Sequence, residues 1–108
     1  MSGYVVEYTS GAEREIIESY LWIKERAPRS AEKWREELIG KVESLADNPL
    51  RHSVAPESGK FTQEIRLMLF RKRRSQFRIY YTIEGRRVVI LTVRRSARKP
   101  LEEGGLAG

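Results

Sequence analysis

Apolar residues recur at steps of three and four through the first half of this chain and at steps of two in its second half. Helices must therefore come early and paired strands late. The cleanest alternation lies at 76–83, where Phe77, Ile79, Tyr81 and Ile83 share one face and Arg78, Tyr80 and Thr82 the other. A β-branched run follows at 88–93, and Glu84-Gly85-Arg86 supplies the tight connection that a hairpin requires. A partly alternating apolar run at 61–70 predicts a strand before these two, and Tyr4-Val5-Val6-Glu7-Tyr8 predicts one at the start.

Between the first strand and the rest, the helical period dominates. Ser10 stands three residues before Glu13, the layout of a capping box, and Ile16, Ile17, Tyr20, Leu21 and Ile23 follow at helical spacing. Pro28 closes this helix, because the residue before proline avoids the α region. Ser30 offers a second N-cap, after which Ala31, Trp34, Leu38, Val42 and Leu45 mark another amphipathic helix that Asn48-Pro49 stops. The pair forms an αα-hairpin joined by about four residues, with Trp22 and Trp34 expected to pack inside it. The aperiodic stretch 49–60, with two prolines and a glycine, reads as a loop. The expected fold is α+β: an N-terminal strand, an αα-hairpin and a three-stranded antiparallel meander, with the helices on one sheet face.

A length of 108 residues suits one domain, expected over 1–101, and the glycine-rich stretch 102–108 is expected to be a disordered tail. No cysteine is present, which excludes disulfides, thiol catalysis and thiolate metal sites, and a single histidine leaves little for any other metal. The chain is accordingly expected to need no metal and no cofactor. No apolar run approaches the ~20 residues of a membrane span, and the first residues lack a signal-peptide layout. A cytoplasmic setting without a membrane partner is expected.

Charge is distributed unevenly. Residues 1–57 carry a net −3 and residues 58–108 a net +9, within a total of +6. Such a division suits a surface that meets a polyanion, although a soluble protein of high pI would look the same by count. If Phe77, Ile79 and Tyr81 face the helices, Arg78, Tyr80 and Thr82 face outward together. Arg66, one position after Ile65, is expected to point away from the core as well, and antiparallel pairing returns Arg94 or Arg95 to the neighbourhood of Arg78. Guanidinium forks suit phosphate oxygens, and an outward Tyr80 could stack on an unpaired base; an ordinary solvated sheet face is the plain alternative. Arg71-Lys72-Arg73-Arg74 is either a phosphate clamp or a charged turn that discourages edge-to-edge association. His52 sits beside Arg51 with no acid nearby in sequence and reads as a surface loop residue.

Two strand motifs carry a resemblance. Gln76-Phe77-Arg78-Ile79-Tyr80-Tyr81-Thr82-Ile83, a short turn, then Val88-Val89-Ile90-Leu91-Thr92-Val93-Arg94-Arg95 resembles the RelE/ParE superfamily of bacterial toxins. The upstream Glu64-Ile65-Arg66-Leu67 run, the helical hairpin and the Asn48-Pro49 stop fit as well, so the likeness spans roughly residues 4–101. It implies the toxin of a type II toxin–antitoxin module, with a cognate antitoxin as partner.

The RelE branch cleaves mRNA on the ribosome without metal. For this chain the resemblance implies Arg66, Arg78, Arg94 and Arg95 as catalytic candidates, with Arg71, Lys72, Arg73, Arg74, Tyr80 and Arg98 binding RNA. Two departures stand out: Glu64 occupies a position where a basic residue is typical, and no tyrosine follows Tyr81. The general base is thus unassigned. The ParE branch, which poisons DNA gyrase and commonly has long paired helices, is the alternative; a non-catalytic RNA- or partner-binding module is the third. The ribonuclease reading is favoured here on the expectation that Arg66, Arg78 and the Arg94/Arg95 pair converge on one face, in which case Arg78→Ala abolishes toxicity.

Overall fold

A computed structural model describes residues 3–71 and 75–96. Strand β1 (Val5–Tyr8) leads into helices α1 (Ser10–Arg26) and α2 (Pro28–Glu43), followed by strands β2 (Arg66–Phe70), β3 (Phe77–Glu84) and β4 (Arg87–Arg95). Short 3-10 turns occupy Ser44–Ala46, Pro49–Arg51 and Pro56–Lys60. The four strands form one mixed sheet in the order β1-β4-β3-β2, with β1 parallel to β4 and the remaining pairs antiparallel. The expected α+β architecture is present, with the helical pair on one face.

The helical hairpin is tighter than the expected four-residue connection. Ala27 alone separates the helices: its N–H closes α1 on Ile23 O at 2.7 Å, and its carbonyl receives the Ala31 N–H at 3.0 Å. Pro28 explains both events. It keeps Ala27 out of the α region, and its fixed φ suits the first position of α2, so Ser30 lies inside the helix instead of capping it. The α1 cap is Thr9 and not Ser10, because the Thr9 hydroxyl accepts from Ala12 N at 3.0 Å.

The predicted stripe of α2 is buried at every position: Ala31, Trp34, Leu38 and Val42, with Leu45 just beyond. On α1 the stripe is narrower than expected. Ala12 and Ile16 are buried and Tyr20 and Ile23 partly so, whereas Ile17, Leu21 and Trp22 are about half exposed. These helices pack on Met68 and Phe70 of β2, Phe77, Ile79 and Tyr81 of β3, and Val88, Ile90 and Val93 of β4.

Ile90 and Val93 share that face although they are three residues apart. A bulge makes it possible: Tyr81 pairs with Ile90 and Tyr80 with Thr92, which leaves Leu91 as the extra residue of β4. Beyond β1, the uncovered edge of β4 is closed by side chains of the following helix. Thr9 Oγ1 donates to Leu91 O at 3.0 Å, and one Glu15 carboxylate oxygen accepts from Val93 N at 3.0 Å and Thr92 Oγ1 at 2.7 Å.

The opposite sheet face is not open, contrary to expectation. Residues 49–65 wrap around the edge of β2 onto it and bury Ala55, Ile65 and Tyr80 against Phe61, Leu67 and Leu91. Backbone bonds from Ala55 N to Ile65 O (2.8 Å) and from Leu67 N to Ser53 O (3.1 Å) stitch this cover to the edge of β2. Thr82 Oγ1 adds a bond to Glu64 O at 2.8 Å, while on the helix-facing side Tyr81 Oη donates to Pro49 O at 2.6 Å and anchors the start of the segment.

Because Thr9 both caps α1 and binds β4, Thr9→Ala should cost about 1–2 kcal/mol and lower Tm by roughly 5–10 °C in calorimetry. Ser10→Ala should move Tm by less than about 2 °C, since surface substitutions of this kind stay within a few tenths of a kcal/mol; equal losses would contradict the assignment of the cap.

Candidate functional site

Pleat parity decides where the arginines go. Arg78 pairs with Arg94 across β3 and β4, as expected from the antiparallel register, and both lie on the covered, outer side of the sheet. Arg66 does not join them. It pairs with Tyr81, and Arg95 pairs with Phe77, so both belong to the helix-facing side. They stand at registers four residues apart on β3, about 13 Å along the strand direction, on strands that flank β3 from opposite sides. The expected convergence of Arg66, Arg78, Arg94 and Arg95 on one face is therefore not what the fold produces. The error traces to Ile65: it is fully buried, but in the outer cluster, which reverses the direction inferred for its neighbour.

Arg66 holds the cover in place. Its guanidinium donates to His52 O at 2.6 Å and pairs with the Glu64 carboxylate at 3.0 Å, and its side chain is only 16% exposed. Glu64, which departs from the basic residue typical at its position, is thus the counter-ion of Arg66.

Tyr80 is fully buried, which removes it as an exposed platform for a base. Its hydroxyl donates to Glu57 Oε2 at 2.6 Å. Burial, followed by the hydrogen bond and negative charge of Glu57, raises its pKa to about 12, against the opposing influence of Arg78. At neutral pH the phenol therefore keeps its proton and serves as a donor. Arg94 Nε lies 3.3 Å from Thr92 Oγ1, beside the bulge. The outer-face group is then Arg78, Arg94, Tyr80 and Glu57. Glu57 carried no sequence signal, since only the fold brings it to a residue 23 positions away.

Arg95 lies on the other side, with its guanidinium 4.9 Å from the Trp22 ring centroid. Arg71 pairs with Glu37 of α2 at 2.8 Å. Lys72, Arg73, Arg74 and Arg98 lie outside the described residues, as does the expected tail at 102–108. His52 is partly buried: its Nε2 accepts from Arg51 Nε at 3.2 Å, and its ring meets Tyr81 edge-on at 6.4 Å. Burial lowers its pKa first, and the charges of Arg51 and Lys41 lower it further. It is neutral at pH 7. Among the described residues no group of three or more His, Cys, Asp or Glu side chains gathers closely enough to hold a metal. No helix among them is long and apolar enough to cross a membrane.

The phenols give a direct check of this burial. Tyr8, Tyr80 and Tyr81 are each pushed up to about 12, foremost by burial. An unfolded tyrosine titrates near 10, so between pH 10 and 12 the folded chain binds more protons and its stability falls as pH rises. Absorbance titration at 295 nm should leave at least Tyr8, Tyr80 and Tyr81 protonated at pH 11 until the chain unfolds; ionisation of all the tyrosines near pH 10 with the fold intact would contradict it.

Comparison with known proteins agrees with the architecture. The family model for the ParE toxin of the type II toxin–antitoxin system, parDE, matches residues 6–100. The chromosomal ParDE toxin–antitoxin system of P. aeruginosa is similar in fold, with a TM-score of 0.66 at 16% identity, covering 86% of this chain and 96% of that one. The toxin–antitoxin complex RelBE2 of Mycobacterium tuberculosis is also similar, with a TM-score of 0.51 at 24% identity, covering 91% and 97%. A search of curated protein sequences finds no match. The family model spans nearly the whole chain, which belongs to the ParE toxin family of type II toxin–antitoxin systems.

Proposed function

We propose that this toxin arrests growth by binding DNA gyrase and that it does not cleave mRNA. The observation that carries this reading is the separation of its arginines. Metal-free cleavage of RNA needs a base for the 2′-hydroxyl and cations for a dianionic transition state, gathered around one phosphate. Here Arg66 is committed to the cover and Arg95 lies on the far side of the sheet. Tyr80 is buried, protonated and bonded to Glu57. The family model is that of ParE toxins, the branch that the strand-motif resemblance associates with gyrase, which favours the same choice.

A second reading keeps one specific observation in its favour. Arg78 and Arg94 stand side by side in register on the outer face, next to a carboxylate. That arrangement can hold a phosphate, and it would make the chain a ribosome-dependent nuclease. In either case an antitoxin is the expected partner. Both similar structures are toxin–antitoxin complexes, and the +9 half of this chain suits an acidic covering segment.

The two readings part at Arg78. Purified toxin added to gyrase and relaxed plasmid should suppress supercoiling and accumulate cleaved DNA, while mRNA on programmed ribosomes stays intact. Arg78→Ala should keep that potency within about threefold, which is within ~0.7 kcal/mol. Cleavage of mRNA at codon positions, abolished by Arg78→Ala with gyrase unaffected, would establish the nuclease instead.

A further inference from the structure

The cover starts at Pro49, and its first turn is fastened by a chain of polar contacts that runs through the single histidine of the sequence. Arg51 Nη2 donates to Ser44 Oγ, just beyond α2, and Arg51 Nε donates to His52 Nε2 at 3.2 Å. The His52 carbonyl accepts from Arg66 of β2 at 2.6 Å, and the His52 ring stands edge-on to Tyr81 of β3. Ser53 O then accepts the Leu67 N–H at 3.1 Å, and the Ala55 N–H reaches Ile65 O at 2.8 Å. His52 thus sits where the segment leaves the helix-facing side and passes around the edge of β2.

The contact with Arg51 requires a neutral ring. A guanidinium N–H can donate only to a ring nitrogen that carries no proton. Protonation would set donor against donor and add a positive charge where the neighbours are already cationic. The charges acting on the ring are those of Arg51 and of Lys41 on α2. Arg66, bonded to the carbonyl of the same residue, has Glu64 as its counter-ion at 3.0 Å, but that carboxylate side chain is 62% exposed. Tyr81, the titratable group of β3 against the ring, is pushed up to about 12 and brings no compensating charge. An imidazole released from this site titrates near 6.5. Burial, then Arg51 and Lys41, hold it lower while the cover is closed. Between the two values the open form binds more protons than the closed one, so acid favours opening and neutral pH favours closure.

We infer that His52 is a pH-sensitive latch on the cover, whose protonation releases residues 50–55 from the edge of β2 while the rest of the sheet stays folded. Release withdraws Ala55 from the cluster that buries Tyr80, on the face that carries Arg78 and Arg94.

Amide exchange of the full chain, corrected for the pH dependence of the intrinsic rate, gives the opening constant residue by residue. Between pH 7.5 and pH 5.0 it should rise at least about threefold at Leu67 and Ala55 and hold steady at the central amides of β3. Proton NMR of the one imidazole should place its midpoint below 6.5, with the rise beginning near 6.5 and levelling off beneath that midpoint. His52→Gln keeps an acceptor for Arg51 without a titrating ring, and thermal melts at pH 7.5 confirm that it folds; its opening constants should not rise. If that variant fails to fold, the two measurements on the unaltered chain decide. Equal opening constants at the two pH values, or an imidazole midpoint at or above 6.5, would overturn the latch. So would a rise that persists in His52→Gln, which assigns the response to a carboxylate, or one shared by β3, which marks general acid unfolding.

Discussion

The sheet of this toxin has two apolar faces and only one pair of helices, and the rest of the structure depends on how the second face is kept dry. Residues 49–65 do so with few apolar side chains, chiefly Ala55, Phe61 and Ile65. Their hold comes from directed bonds: Tyr80 to Glu57 and Thr82 to Glu64 O on the covered face, with Tyr81 to Pro49 O and Arg66 to His52 O anchoring the start of the segment from the helix-facing side. Each places a polar group of the sheet against an acceptor in the cover, where an unmet donor would cost about 1–3 kcal/mol. Such a cover is specific in register because it is polar in attachment.

That attachment decides the chemistry available. With Arg66 turned to the helix-facing side and Tyr80 bonded to Glu57, the outer face retains one arginine pair instead of an array. The far side carries the complementary outcome. Arg95 extends the helix-facing surface and meets a tryptophan that α1 leaves exposed. The same alternation that makes β3 and β4 good strands thus sends neighbouring arginines to opposite faces, one toward a closed polar network and one toward an exposed tryptophan.

Much of this was legible in the sequence wherever a single period governed the result. The stripe of α2 is buried residue for residue, and the antiparallel register of β3 and β4 brings Arg78 to Arg94 as spacing requires. Elsewhere the outcome rests on contacts distant in sequence. Thr9 and Ser10 are both good caps, and it is the carbonyl of Leu91 that makes Thr9 the useful one. The bulge at Leu91 is invisible in a β-branched run until β3 is laid beside it. Ile65 is apolar and buried, as its type suggests, yet on the unexpected face. The cover itself has no period because its residues are fixed by hydrogen bonds and turns, and hydrophobic patterning does not record these.

The two faces stay divided only while this cover is closed in solution. Amide hydrogen exchange measured residue by residue tests it most directly, at Ala55 and Leu67, whose N–H groups bond across to Ile65 O and Ser53 O. Both should exchange slowly, at rates comparable with the central amides of β3. Fast exchange at Ala55 and Leu67 beside a protected β3 would mean that the cover opens. Tyr80 would then be uncovered next to Arg78 and Arg94, and the division of the two faces proposed for this toxin would be contradicted.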